Sequence, residues 1–429
     1  MARYAAPAGK IVKGCNVRLM PMPGQEARFR RDDGARRFAC NWAVAEIKQA
    51  FDHGEETGKH DAAVWSAWSL RKRWNSVKSE IAPWWAECSK EAYAGGIADA
   101  VAALKNWHDS KTGKRNGPRV GFPRFHKKGK DLVRCTYTTG ALRVEGPRHI
   151  VLPGAGRVQT AENIRPIWRH IRRGTGRLLS ATVRKRAGRW SVSLRLEIAA
   201  PWQPEERAGT VGVDVGIGDC LLTIMRPDGT LAAKVPNPKA LRASLADLRR
   251  ANRALTRKTE GSLRWRKAKR RLERIYARVA AIRLDALHKA TTDLAKTHGQ
   301  IVIEDLGITS LIQGLRSHRK SWGDAAAGEL RRQLTYKTHW HGAELWIADR
   351  FYPSSKTCSV CGLINASLTL SDRIWRCPGC GITHDRDENA GTNLARLPAS
   401  QAEAQSGGKT APVRHATVKR LNHLGKVAA

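Results

Sequence analysis

Two cysteine pairs constrain this chain more than any other feature of it. Cys358 and Cys361 form one C-x2-C knuckle, Cys377 and Cys380 form a second, and fifteen residues separate the pairs. That spacing suits a four-cysteine zinc site. Gly362 and Gly381 follow the pairs directly and let the backbone turn tightly enough for both sulfurs of a knuckle to face one ion. Two disulfides are the other use for four cysteines; the knuckle spacing and an expected reducing compartment favour zinc. With every position taken by a thiolate the ion is expected to be structural, leaving no site open to water or substrate. Directly afterwards come His384, Asp385, Asp387, Glu388 and Asn389, ahead of Ala390, Gly391 and Leu394, a pattern that reads as a loop entering a helix. Carboxylates there can hold hard cations. An acidic first turn also simply complements a helix dipole, so this cluster gains meaning only from partners elsewhere.

The charge balance narrows the partners. Against 38 Asp and Glu stand 77 Lys and Arg, a formal charge of +39 over 429 residues, far more than solubility needs. Nucleic acid is the expected partner. A membrane surface is the rival, but the basic residues are spread over the whole chain and not gathered on one amphipathic segment. The beginning, MARYAAPAGKIVKGC, has no apolar core of a signal peptide, and no segment approaches the roughly 18 uncharged residues of a membrane span. A cytoplasmic protein with reduced, buried Cys15, Cys40, Cys88, Cys135 and Cys220 is expected. The length allows roughly two to four domains.

Along the chain, Ile11 to Met20 alternates as a strand, and Phe38, Trp42, Ala45 and Ile47 then take helical spacing. The helical pattern continues to Trp107, with Trp65, Trp68, Trp74, Trp84, Trp85 and Trp107 interleaved with Lys and Arg. Such aromatics stack on unpaired bases or pack between helices, and packing is the commoner fate. The Gly-, Pro- and Lys-rich stretch 111–130, with Lys127 and Lys128, reads as a loop on a phosphate backbone or a solvated linker. Short strands follow at Val133 to Tyr137, His149 to Leu152, Leu178 to Lys185 and Trp190 to Ile198, separated by turns at Pro153-Gly154 and Ala187-Gly188. A small β-barrel-like domain interrupted by the helical segment is the inference.

Beyond a polar linker, TVGVDVGIGDCLLTI at Thr210 to Ile224 makes two strands joined around Gly216 and Gly218. Asp214 is out of place there, since a carboxylate in a buried apolar strand is costly unless it is paired or holds a metal; metal is favoured. A helical hairpin follows, Leu241 to Leu255 and then Leu263 to Thr297, with Leu272, Ile275, Val279 and Ile282 as the buried stripe of its second helix. Between Leu241 and Lys289 sixteen Lys and Arg face four Asp and Glu, so Arg264, Arg266, Lys267, Arg270, Arg271 and Arg274 are expected to contact nucleic-acid phosphates. QIVIEDL, Gln300 to Leu306, is a strand ending in acids: Glu304 shares a face with Val302, and Asp305, on the other, reads as a turn residue. A helix at Glu329 to Trp340 and a strand at Glu344 to Asp349 precede the cysteines. The Ala-, Gly- and Gln-rich tail after Arg396 is expected to be disordered.

Asp214, Glu304 and the acids near Asp387 thus make three carboxylate sites. Such a set can hold two Mg2+ ions about 4 Å apart and drive phosphodiester hydrolysis.

The chain resembles the transposon-encoded TnpB RNA-guided nucleases and the similar small type V CRISPR effector nucleases. GVDVG around Asp214, RLDALHK at Arg283 to Lys289, IVIEDL around Glu304, YPSSKTCSVCG at Tyr352 to Gly362, CPGCG at Cys377 to Gly381 and HDRDENAGTNLA at His384 to Ala395 carry the resemblance; FACNWA at Phe38 and GPRVGFPRF at Gly117 carry it more weakly. It implies a multidomain α+β protein. A RuvC-type nuclease domain of RNase H-like α/β fold would span 204–350 and 384–398, with a zinc ribbon inserted at 351–383. A wedge-type β-barrel would span 1–30 and 130–203, interrupted by a helical recognition segment and basic loop at 31–129, and 399–429 would be a disordered tail. The catalytic acids would be Asp214, Glu304 and Asp387, with Asp385 supporting. Gly391 departs from the alanine common in the family. Implied partners are a structured guide RNA and DNA, double- and single-stranded, the sequence being read by guide pairing and a short flanking motif by the protein.

The implied activity is Mg2+-dependent, RNA-guided DNA endonuclease cleavage. Rival readings are a cleavage-inactive RNA-guided repressor and an RNase H-fold transposase acting without RNA. One chain carries all three acids, so a monomer could cut.

Overall fold

The computed structural model describes Pro7 and residues 9–58, 61–115, 117–129, 132–138, 140–201, 207–306, 319–369, 371–406 and 419–420. The chain divides into two compact units, Met1–Ala199 and Ala200–Ala429. Among the described residues no helix is long and apolar enough to cross a membrane.

The first unit begins with β1 (Lys10–Met20), followed by three longer helices, α1 (Pro23–Thr57), α2 (Ala67–Ile81) and α3 (Lys90–Lys111). Then come β2 (Arg134–Tyr137), β3 (Arg143–Val144), β4 (His149–Leu152), β5 (Gly156–Thr160), α4 (Arg165–Arg172), β6 (Gly176–Arg186) and β7 (Arg189–Ala199). The strands form one antiparallel sheet in the order β2-β6-β7-β1-β5-β4-β3. Among the described residues that order is linear, with β2 and β3 at its ends and no ladder joining them. β6 and β7 meet at Ala187 (φ 51) and Gly188 (φ 77), a two-residue turn whose left-handed backbone matches the twist of a hairpin.

Helix α1 starts at Pro23, before residue 31, where the helical recognition segment implied by the resemblance was to begin. Proline at its first turn is pre-set for helix, and Gln25 reaches back to accept from the Met22 N–H at 3.0 Å. Its polar opening, GQEARFRRDDGARR, hid this. Two of those acids are buried. Asp32 accepts from the Tyr137 hydroxyl (2.8 Å), the Ser89 N–H (3.0 Å) and Arg28 Nε (3.1 Å), and Asp33 accepts from Arg36, Arg37 and the Arg134 N–H. Helix and sheet are thereby joined through satisfied charges. Gly96 lets α1 and α3 touch: a Cβ there would lie 2.1 Å from the Arg36 carbonyl oxygen.

The second unit contains β8 (Ala208–Val215), β9 (Cys220–Met225), β10 (Leu231–Pro236), α5 (Ala240–Ala243), α6 (Leu245–Thr256), α7 (Leu263–Thr297) and β11 (His298–Glu304). It continues with α8 (Arg319–Ala325), α9 (Ala327–His341), β12 (Glu344–Ala348), β13 (Ile374–Arg376), β14 (Thr383–Asp385), α10 (Arg386–Ser406) and the short β15 (Lys419–Arg420). The main sheet runs β10-β9-β8-β11-β12-β15. β8, β9 and β10 form an antiparallel meander, while β11 lies parallel to both β8 and β12. Alternation sorts its two faces. Val211, Val213, Ile301, Ile303, Leu345 and Ile347 pack on Leu287, Leu294, Leu330 and Leu334 of α7 and α9. Val302 and Ala348, on the opposite face, meet Leu394 and Leu397 of α10.

Helix α10 continues to Ser406, so the disorder expected from residue 399 is corrected over 399–406; Ala, Gln and Glu there are good helix formers. Most of the remaining tail lies outside the described residues. In α7 the buried residues run Val279, Leu287, Ala290 and Leu294, whereas Ile282, assigned to the stripe, is 37% exposed. The stripe shifts because the sheet covers only the second half of this helix.

Candidate functional site

The parallel register that pairs Val213 with Ile303 brings Asp214 and Glu304 to neighbouring C-terminal strand ends, on the face covered by α10. Glu304 is next to Ala348 of β12 in the same ladder. Asp387 arrives from a third element, the first turn of α10, where Asp385 Oδ1 accepts the N–H groups of Asp387 (2.9 Å) and Glu388 (3.1 Å). Asp385 is therefore the cap that starts the helix. The three acids converge electrostatically. Burial first, and then the charges of Glu304 and Asp387, push the Asp214 carboxyl well above the usual carboxylate range, with Arg386 and Arg373 opposing. Burial also raises Glu304, against the pull of a Ser354 hydrogen bond and Arg386.

The close approach of α10 to β8 depends on two glycines. A Cβ on Gly212 would lie 2.0 Å from the Gly391 carbonyl oxygen, and one on Gly391 would lie 2.6 Å from Met225 Cγ. Gly391, the departure from the family's alanine, is thus matched to Met225.

The cysteines meet as their spacing requires. All four Sγ atoms lie within 4.8 Å of one another, with Cys358 to Cys380 at 3.7 Å and Cys361 to Cys377 at 3.5 Å. Thiolates at the corners of a tetrahedron with Zn–S near 2.3 Å stand about 3.8 Å apart, so the set fits zinc. Gly362 (φ 78) and Gly381 (φ 75) each donate an N–H back to the first cysteine of their knuckle at 2.9 Å. N–H groups of Cys380 and Gly379 outweigh desolvation and hold the Cys377 thiol down at about 6. His384 Nε2 lies 3.1 Å from Cys358 Sγ, so the imidazole is placed outside the four-sulfur set to hydrogen-bond one of its sulfurs.

The cysteine module is tied to the acids by residues that had no assigned role in the sequence pattern. Asn389 accepts from the Ser359 N–H (2.9 Å) and donates to the Thr357 carbonyl (2.7 Å); Asn393, one turn on, donates to the carbonyls of Ser354 (2.8 Å) and Thr357 (2.7 Å). Ser354 Oγ donates to Glu304 Oε1, and Arg373 Nη1 lies 3.1 Å from Asp387 Oδ1. The i, i+4 asparagines were a readable signal. Arg373 was not, being one arginine among many between the knuckles and beyond them. Arg283, within RLDALHK, bonds buried Asp324 at 2.7 Å, and Asp324 also accepts the N–H groups of Leu241 and Arg242. Asp305 takes Arg331 at 2.6 Å.

Among the described residues, Cys358, Cys361, Cys377 and Cys380 form the group of side chains close enough together to hold a metal ion. Arg264, Arg266, Lys267, Arg270, Arg271 and Arg274 are exposed on the first half of α7, as are Lys127 and Lys128 in the first unit. Trp74 is buried and stacked on Tyr93, but Trp65 and Trp68 are 41% and 66% exposed.

A relative from Mycobacterium tuberculosis, named "Putative RNA-guided DNA endonuclease", is 44% identical over 418 residues, 92% of this chain and 88% of its own length. The chain belongs to the TnpB family. A Streptomyces pristinaespiralis protein of the same name is 32% identical over 95% of this TnpB-family chain and 94% of its own length. Family models described as "Probable transposase", "Cas12f1-like, TNB domain" and "Helix-turn-helix domain" match residues 193–313, 328–394 and 11–56. The last of these spans a strand and one unbroken helix here. Among solved structures, the Cas12f1 chain of a Cas12f1-sgRNA-target DNA complex shares the fold at a TM-score of 0.52 and 12% identity, covering 90% of this TnpB-family chain and 99% of that one.

Proposed function

We propose that this chain is an RNA-guided DNA endonuclease that hydrolyses phosphodiester bonds at one RuvC-type site formed by Asp214, Glu304 and Asp387. The observation that carries the reading is the convergence of three acids from β8, β11 and α10. The sheet order, an antiparallel three-strand meander extended by two parallel strands, is that of an RNase H-like fold and supports it. Mg2+ bound by these oxygens would supply an activated water and stabilise the leaving oxygen.

The chain's own residues do the positioning. Asp214 and Glu304 are fixed by the strand ladder, Asp387 by the Asp385 cap, and Ser354 orients the Glu304 carboxylate. Arg373 brings a cation to the site from between the cysteine pairs and can neutralise a phosphate there. Zinc at the four cysteines has a structural role, holding the segment that carries Ser354 and Arg373.

In this reading the unit Met1–Ala199 supplies wedge and recognition functions, and the exposed arginines of α7 and Lys127 and Lys128 bind phosphates of guide RNA or DNA. The test is cleavage of a guide-matched plasmid in Mg2+ by protein purified with its RNA. Cleavage that persists in Asp214→Ala would sink the assignment.

A further inference from the structure

Helices α2 and α3 enclose a groove of about 800 Å3 that the nuclease site does not use, lined by Trp65, Trp68, Arg71, Ala98, Val101 and Lys105 among others. Trp68 presents an indole that is 66% exposed, with Lys72 Nζ 4.8 Å above its ring. Trp65, 41% exposed, is held by the edge-on ring of His108 and the tilted ring of Phe51. Ala98, Val101 and Ala102 give the opposite helix a low apolar floor, and no carboxylate lines the groove. Nearby acids are otherwise engaged: Asp61 with Arg73 and the Ala63 N–H, and Asp99 with Arg36 and Arg134.

An indole facing small apolar residues, rimmed by Arg71 and Lys105, matches a flat aromatic group that carries a negative charge. We infer that this groove holds an unpaired nucleotide of the guide RNA, its base stacked on Trp68 and its phosphate near Arg71 and Lys105. RNA is the fitting source because a folded RNA keeps loop bases splayed and unpaired, whereas target DNA is paired with its complement or with the guide for most of its length. The inference rests on the guide-RNA partner of the proposed function, but on none of its catalytic residues.

The test is photocrosslinking of the full-length protein with its copurified RNA, followed by nuclease and trypsin digestion and mass spectrometry. A nucleotide adduct on the tryptic peptide 60–71, which contains Trp65 and Trp68, is expected. Adducts found only elsewhere would overturn the groove and leave RNA guidance standing; protein that carries no RNA would overturn both. Because Trp68 is exposed, Trp68→Ala should fold normally and bind RNA about 5- to 150-fold more weakly, with Trp68→Phe retaining most of the affinity. Unchanged binding in Trp68→Ala would overturn the proposal. So would a dimer in RNA-free protein that Trp68→Ala dissolves, which would assign the groove to a second copy.

Discussion

Arg373 Nη1 lies 3.1 Å from Asp387 Oδ1, so a residue between the two cysteine pairs is ion-paired to an acid at the start of α10. Asn389 and Asn393 of the same helix hold the backbone before the first knuckle, and Ser354 from that backbone bonds Glu304. The cysteine module and the acids are therefore mechanically one object.

Disrupting the knuckles should disable the acids without touching them. Cys377→Ser, or zinc removal by a chelator, is expected to reduce cleavage at least tenfold while bound RNA is retained. Zinc release measured alongside cleavage checks this; full activity in zinc-free protein would contradict it.

Asp214→Ala, Glu304→Ala and Asp387→Ala should each lower the cleavage rate by about a thousandfold or more. Guide RNA and target binding should be preserved. Single-turnover cleavage together with a filter-binding assay separates the two effects.

Gly391→Ala must displace Met225, whose Cγ lies 2.6 Å from the new Cβ position. Overpacking of this kind costs about 1–3 kcal/mol. Combining it with Met225→Ala should recover part of that loss, and a double-mutant cycle of denaturant midpoints measures the coupling.

Glu26 binds Arg30 at 2.8 Å and Lys185 at 3.0 Å, joining the first turn of α1 to β6. Burial pushes its carboxyl up, but the hydrogen bonds from Arg30 and Lys185 outweigh that and bring it from 4.5 down to about 2. A depressed acid contributes stability above its unfolded value and loses it as pH falls towards the folded one. Glu26→Gln should therefore unfold more easily than wild type near neutral pH, and the gap should close as pH falls from about 4.5 to about 2. A pH-independent gap would refute the charge argument.

Neutralising Arg270 and Arg274 together should weaken RNA or DNA binding uniformly across sequences. The slope of log affinity against log salt should become shallower by about one for each phosphate that no longer has a cationic partner. Affinity measured across a salt series tests this.

The sequence by itself determined the elements whose chemistry is local. The knuckle spacing named the sulfur cluster, alternation placed β8 and β11, and an acid set in each apolar strand marked Asp214 and Glu304. Helix α7 was legible to its terminal residues because Ser262 caps one end and its 3.6-residue periodicity is long. Tertiary structure decided what depends on partners distant in the chain. Asp32 and Asp33 sit in a charged run that carries no sign of burial, and Tyr137, Ser89 and Arg134 satisfy them there. Gly391 read only as a departure from the family's alanine until Met225 and Gly212 met it. Arg373 was one cation among 77 until the ribbon brought it to Asp387. Periodicity and spacing report a residue's neighbours along the chain, whereas burial and charge pairing are fixed by neighbours that only the folded backbone supplies.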